Sequence, residues 1–419
     1  MRHALFVAFH FPPEASSSGV LRTLKYSRYL REHDWRVTVI APQTSAYTII
    51  DPALETQLDP QTRVVRTPYR NTKRDFSWRA KYPALLALPD VWIGWLPWAV
   101  AAGRKVLAED PVDVLFSTSP HATAHLIAMR LASRSGLPWV IDFRDPWIEE
   151  PPEPGAPNGL IFRTINRRLE RFVVERSAAV VTSTTQLRDT LAARYPGASP
   201  KLQAIMNGYD EADFPARSAD APPRGSRLRI VHAGSINGEF RDPRPIFAAL
   251  GRCVRSGALS VDALELRFLG GGAFAESVGV AKSVTAAGLD GAVSFLPRVP
   301  YDESLRELAA ADALLLLQAS EDTVDLVPAK LYEYLRAQKP TLALVHPGAV
   351  RDVLVETGGG WAADPRDAGR LDAVLGELIG AWREDRLADH CADLQVLRRF
   401  DRRTLTGELA AVFGRVAAR

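Results

Sequence analysis

"ADALLLLQASEDTVDLVPAKLYEYL" occupies residues 311–335, and its two ends follow different periods. The run 313–318, ALLLLQ, is apolar at consecutive positions. That pattern suits a strand covered on both faces, as in the middle of a parallel sheet. From Pro328 onward the spacing turns helical. Proline suits the first helical position, which leaves Val327 as the cap residue. Valine has no side-chain acceptor, so the N–H groups of Ala329, Lys330 and Leu331 are left without a local partner. A helix start of this kind can hold an anion, and Lys330 adds a full charge to it. Glu333 lies one turn on, on the same face, and Asp325 stands just before the helix. Both are placed to accept from hydroxyl groups. The plainer alternative is a Lys330–Glu333 surface pair on an uncapped helix.

Working outward, short β-branched or apolar runs alternate with amphipathic segments. "ALFVAF", "WRVTVIA", "VDVLFS", "LPWVID" and "AAVVTS" read as strands of a first half. Residues 217–229, "RSADAPPRGSRLR", read as a linker. The alternation resumes in "LRIVHAG", "ALELRFLGGG", "AVSFLP", "ADALLLLQ" and "KPTLALV". Strand–helix alternation predicts an α/β fold with parallel sheets. Two such blocks predict two Rossmann-like domains with their sheets facing across a cleft. They are placed at 1–210 and 211–400, with a final helix at about 400–419 packing back on the first domain. A length of 419 residues agrees with two cores rather than one.

The totals exclude several classes. Apolar content of 47% and charged content of 24% are those of a soluble globular chain. A net charge of +3 gives no electrostatic case for a nucleic-acid partner. No apolar stretch is long enough to cross a bilayer, and the N-terminus reads as a strand rather than a signal peptide. Cys253 and Cys391 match no metal spacing, and a reducing cytoplasm fits. No glycine fingerprint follows the first strand, so a dinucleotide oxidoreductase is not supported.

Ligands of open α/β sheets bind beyond the carboxyl ends of the strands. After the first strand, "FHFPPEASSSGVLRT" (9–23) brings two prolines, three serines and Gly19 to a helix start. After the "VDVLFS" strand, His121 follows Ser119 and Pro120 in what reads as the first turn of a helix. It either hydrogen-bonds a ligand or is structural. His121 and His125 are four apart but have no third ligand nearby, so no metal site is expected. After "LPWVI" come Asp142, Arg144 and Asp145, either for an acceptor or base catalysis, or with Arg144 merely paired to an acid. In "HAGSINGEFRDPRP" (232–245), Gly234 and Gly238 flank a polar loop, and Arg241 and Arg244 are candidate phosphate ligands. Their alternative is pairing with Glu239 and Asp242. Finally, residues 76–105 hold Trp78, Trp92, Trp95 and Trp98 among prolines and basic residues. That mixture suits either a membrane interface or an ordinary packed insertion.

The ordered set of the first loop, "NGYDEADF" (207–214), "HAGSINGEFRDP", "SFLPRVPYDESLRELAAADALLLL" and "DLVPAKLYEYLRAQKPTLAL" resembles the retaining glycosyltransferases of family 4, which have the GT-B fold. The resemblance spans nearly the whole chain. It implies transfer of a sugar from a nucleoside-diphosphate donor, with no cofactor and no metal, to a saccharide or lipid-linked acceptor. The family's two acids, eight positions apart, match Asp325 and Glu333. By the same resemblance His121 contacts the donor sugar near the reacting carbon, Gly19 the diphosphate, Lys330 its charge, and Val299 lies near the base. Gly234, Ser235, Arg241, Pro328 and Leu331 complete the donor set. Asp142, Arg144, Asp145 and Trp95 form the expected acceptor set.

The chain departs from the pattern in three places. Asp325 replaces the usual glutamate and Pro328 the usual glycine, and the Gly-Arg pair reads Gly234-Ser235, which points to Arg241 as the phosphate arginine. These changes resemble a branch acting in surface-polysaccharide or glycolipid assembly, on the inner face of the membrane. Two rivals stay open, a sugar-nucleotide epimerase and an inactive nucleotide-sugar-binding protein.

Overall fold

The computed structural model describes residues 1–16, 19–77, 82, 84–148, 160–214 and 225–418. Thirteen strands form two sheets, and the chain divides into two compact units. One comprises Met1–Asn207 and Arg402–Arg419, the other Gly208–Asp401.

In the first unit the strands are β1 (Arg2–Ala8), β2 (Trp35–Pro42), β3 (Arg63–Thr67), β4 (Val114–Thr118), β5 (Trp139–Phe143), β6 (Ala179–Thr182) and β7 (Leu202–Ala204). They lie in the order β3-β2-β1-β4-β5-β6-β7, every pair parallel. The alternation along β1 builds both faces. Leu5 and Val7 enter one apolar cluster, while Ala4, Phe6 and Ala8 enter the other. The C-terminal helix Arg402–Ala417 covers the second face, where the Phe413 ring meets Trp35, Phe116 and Phe6 at centroid separations of 5.4, 5.8 and 6.2 Å.

In the second unit the strands are β8 (Leu228–Ala233), β9 (Leu264–Leu269), β10 (Val293–Leu296), β11 (Ala313–Gln318), β12 (Thr341–Val345) and β13 (Gly360–Ala363). Their order is β10-β9-β8-β11-β12-β13, again all parallel. All six residues of β11 are buried, as the ALLLLQ run requires of a strand covered on both faces.

Each sheet reverses its winding beside its first strand. β1 lies between β2 and β4, and β8 lies between β9 and β11. At such a switch point the two following connections diverge and leave a crevice at the strand tips. The loops after β1 and β4, and those after β8 and β11, therefore carry the candidate sites.

Three strands have no counterpart in the sequence reading: β3, β7 and β13. All are edge strands of three to five residues. Edges need no continuous apolar run, so their signal is weak. The linker reading over 217–229 falls largely on residues outside the described set.

Candidate active site

In the second unit the site is built on the backbone of Ala233, the last residue of β8. The Lys330 ammonium donates to the Ala233 carbonyl at 2.7 Å, and the Ala233 N–H donates to the Tyr334 hydroxyl at 2.8 Å. Lys330 and Tyr334 are one turn apart on the helix Ala329–Arg336, so a single helix face grips both backbone polar groups of one residue. Gly234 follows with φ +119°, a conformation that other residues rarely adopt.

That helix begins one residue later than the sequence predicts. Pro328 is extended (φ −67°, ψ 140°) and serves as the cap position in place of Val327, with no side-chain cap. The amide of Leu331 is not spare, because it donates to the Pro328 carbonyl at 3.0 Å. The amides of Ala329 and Lys330 have no acceptor among the described residues.

Arg241 reaches the same loop from beyond Gly234, its Nη1 donating to Ser235 Oγ at 3.1 Å and its guanidinium standing over the Phe240 ring. Among the described residues neither Arg241 nor Lys330 is paired with a carboxylate. Burial lowers both pKa values. For Lys330, burial and then the Arg241 charge bring it to about 7. Arg244 behaves differently. It is spent on a two-pronged pair with Asp242, and its Nε donates at 2.8 Å to each carboxylate oxygen. The loop's own amides are also spent. Asn237 Oδ1 accepts from the N–H groups of Glu239, Phe240 and Arg241 at 2.9–3.1 Å. Those three amides are therefore not open to an anion.

Glu333 accepts from the Tyr301 hydroxyl at 3.0 Å, and Tyr301 stands at the start of the helix Tyr301–Ala310. Val299 lies half-exposed in the loop after β10, and Asp325 half-buried in the turn before Pro328. Tyr301 and Tyr334 were not singled out in the sequence. The i, i+4 spacing from Lys330 was the available signal for Tyr334.

In the first unit His121 is the cap residue of the helix Ala122–Ser135, outside its first turn. The helix end is capped from elsewhere. Asp90 accepts from the Thr123 N–H at 2.8 Å and the Thr123 hydroxyl at 2.9 Å. His121 is thereby freed of capping and sits among rings, edge-on to Phe9 at 4.5 Å and stacked on His10 at 5.2 Å. Burial, then the charges of His10 and Arg144, hold its imidazole well below the ordinary range, so it is neutral at pH 7. His125, one turn on, is fully buried and hydrogen-bonds Ser117 Oγ at 2.8 Å.

The expected acceptor residues divide sharply. Asp142 is fully buried and accepts from Arg22 Nη2 at 2.8 Å, Arg22 Nε at 3.1 Å and the Thr118 hydroxyl at 2.8 Å. Arg22, missed in the sequence, also donates to the carbonyls of Ile205 and Met206. Asp142 is thus an internal brace, closed to an acceptor. Trp95 is also closed, with 0% exposure and its indole N–H on Thr67 Oγ1 at 2.7 Å. Asp145 stays half-buried beside Arg144. Arg144 is 6% exposed, and its Nε and Nη1 have no hydrogen-bond partner among the described residues. Its guanidinium lies against Gly19, where any Cβ would collide with it. The expectation that Arg144 merely pairs with an acid does not hold. Trp92 is half-buried, Trp98 is 38% exposed, and Trp78 lies outside the described residues.

Residues 19–208 match the family model of the glycosyl transferase 4-like domain. A probable glycosyltransferase, WbjE, from Pseudomonas aeruginosa is 26% identical over 275 residues, covering 64% of this chain and 66% of that protein. Among solved structures, Anabaena Alr3699/HepE in complex with UDP superposes with a TM-score of 0.68 at 17% identity, over 99% of this chain and 100% of that one. Sucrose-phosphate synthase from Thermosynechococcus elongatus gives 0.67 at 14% identity, with both chains fully covered. The architecture is that of the GT-B glycosyltransferases. The family likeness covers most of the first unit and less than half of the chain.

Proposed function

We propose that this chain is a retaining, metal-independent hexosyltransferase that moves a sugar from a nucleoside-diphosphate donor to a saccharide or lipid-linked acceptor in cell-surface glycan synthesis. The observation that carries the reading is the pair Lys330 and Arg241, two cations without carboxylate partners among the described residues, beside an uncapped helix start. As the sugar–oxygen bond breaks, negative charge grows on the leaving diphosphate. Fixed donors aimed at that charge stabilise the transition state more than the ground state. At about 4 Å and an effective dielectric near 20, each cation gains roughly 4 kcal/mol with a unit charge, less its desolvation. In this reading those side chains and the amides of Ala329 and Lys330 meet the charge, so no metal ion is required.

The remaining roles follow from position. Glu333 and Asp325 take ribose and sugar hydroxyls, Val299 lies beside the base, and neutral His121 hydrogen-bonds the sugar without losing a proton. Among the described residues no helix is long and apolar enough to cross a membrane. Lipid-linked acceptors would then be met from the surface. Phe76, Leu86 and Trp98, exposed by 52%, 51% and 38%, lie in the same stretch as the basic residues Lys73, Arg74 and Lys105.

The test is turnover of a panel of nucleoside-diphosphate sugars with and without acceptor lipid, with the product anomer read by NMR. Lys330→Ala is expected to lower turnover by about 10²–10³-fold. Turnover without any acceptor, inversion at the anomeric carbon, or an unchanged rate in the variant would each overturn the assignment.

A further inference from the structure

We propose that the helix Leu160–Arg176 of the first unit is a docking surface that lays its outer face on a bilayer carrying anionic lipid. The surface is defined by this helix alone, whatever the chain transfers, and it is separate in sequence from residues 76–105.

The helix has two faces of different chemistry. Val173 and Val174 are fully buried in the core of the first unit, and Leu169 packs against it. Asn166 and Glu170 are also buried, and Glu170 accepts from Arg194 Nη1 and from the Tyr195 hydroxyl at 2.7 Å each. The outer face carries Ile161, Arg167, Arg168, Arg171, Phe172 and Arg176, all exposed. Ile161 and Phe172 are exposed by 70% and 39%. Three helical turns separate them, so they share one stripe and lie about 16 Å apart. Half-buried Ile165 and exposed Arg168 fall between them on that stripe.

The charge of the chain is concentrated here. The helix holds five arginines and two glutamates, a formal charge of +3. The net charge of the whole chain is also +3, so all other residues together balance. Because Glu170 is buried, Glu175 is the only acid the helix exposes. Arg168 and Arg171 have no carboxylate partner among the described residues. Exposed arginines elsewhere do, as Arg306 with Asp302 and Arg386 with Asp389. The Arg176 guanidinium stands over the Phe172 ring at 3.9 Å, so ring and cation are presented together. An ordinary solvated helix turns its apolar residues inward and mixes both signs of charge on its surface. Here arginines flank apolar side chains that face out. That combination suits the plane of a membrane interface, where the ring and the isoleucine enter the headgroup boundary and the guanidinium groups meet lipid phosphates. A nucleic acid would engage the arginines and leave Ile161 in water.

The experiment floats the full chain with vesicles of phosphatidylcholine alone and of phosphatidylcholine mixed with phosphatidylglycerol, at low and high salt. Binding is expected to the mixed vesicles, and weaker at high salt. Each arginine near an anionic surface contributes about fivefold, so Arg168→Gln combined with Arg171→Gln should weaken binding by roughly 25-fold with residues 76–105 unchanged. Phe172→Ser should weaken it by at least about threefold. Arg306→Gln combined with Arg386→Gln removes the same net charge from the second unit and should change binding by less than about twofold. If the Arg168 and Arg171 variant does not fold, Phe172→Ser and the salt dependence carry the test. No flotation of the wild type, equal flotation on phosphatidylcholine alone, wild-type binding in the helix variants, or an equal loss in the second-unit control would each overturn the proposal. Binding of single-stranded RNA in place of the mixed vesicles would overturn it in favour of a nucleic-acid partner.

Discussion

The Lys330 ammonium occupies the space that a side chain at position 234 would need: a Cβ on Gly234 would lie 2.5 Å from Lys330 Nζ. The first unit repeats the arrangement with Gly19 and Arg144. In each unit a glycine in the loop after the first strand makes room for a cation delivered from elsewhere in the sheet. Gly234→Ala faces both that collision and its φ of +119°. It should lose roughly 1–3 kcal/mol of stability and weaken nucleotide binding, as read by urea unfolding and UDP titration. Tyr334→Phe removes the acceptor of the Ala233 N–H and should cost about 1–3 kcal/mol of stability with a smaller effect on UDP. UDP affinity untouched by Gly234→Ala would separate Lys330 from the phosphate.

Lys330 makes nucleotide binding sensitive to pH. Its ordinary value of 10.5 falls to about 7 in the fold, chiefly through burial. Between those values the unfolded chain holds a proton that the folded chain lacks, so stability rises with pH across that window. Below pH 7 the cost of the buried charge is fully present. A bound diphosphate favours the ammonium and raises its pKa again. UDP binding at pH 8 should therefore take up close to one proton, and at pH 6 nearly none. Calorimetry in two buffers of different ionisation enthalpy measures the uptake. Persistence of the uptake in Lys330→Ala would assign it to another group.

Asp142 and Arg22 bind each other in the interior, and removing one partner leaves the other charged and buried. Asp142→Ala should cost about 3–5 kcal/mol, whereas replacing both residues with apolar ones should cost less than that. Folded Asp142→Ala should keep the wild-type KM for acceptor. A raised KM in a fully folded sample would return Asp142 to the acceptor set.

Much of the architecture was legible because central strands announce themselves. ALLLLQ and ALFVAF are apolar at nearly every position, and the alternation of such runs with helical segments implies parallel sheets. The switch point beside the first strand of each sheet is visible only in the strand order. Three of the four edge strands were not legible, since RVVRT, LQA and GWAA need only one partner strand and partial cover. The site residues divide along a similar line. Lys330 and Arg241 could be named because the loops after β8 and β11 are local in sequence. The roles of Arg22, Asp90 and Tyr334 depend on partners dozens to more than a hundred positions away, which spacing cannot reveal. Asp142 and Trp95 illustrate the converse. An acid and an indole at strand tips look functional until the depth of the neighbouring packing is known.

The tryptophans of residues 76–105 are distinguishable by depth, and so are the effects of removing them. Trp95 fills the core beneath β1 and bonds Thr67, so Trp95→Ala should lose about 3–5 kcal/mol. Trp98 is 38% exposed and makes no such bond, so Trp98→Ala should shift stability by no more than about 0.5 kcal/mol. If this stretch meets the bilayer, vesicles containing anionic lipid should float the wild type and release Trp98→Ala together with Phe76→Ala. High salt should weaken whatever binding remains, because the surrounding lysines and arginines act through a screened field. Equal flotation of wild type and the double variant would leave the exposed rings without a membrane role.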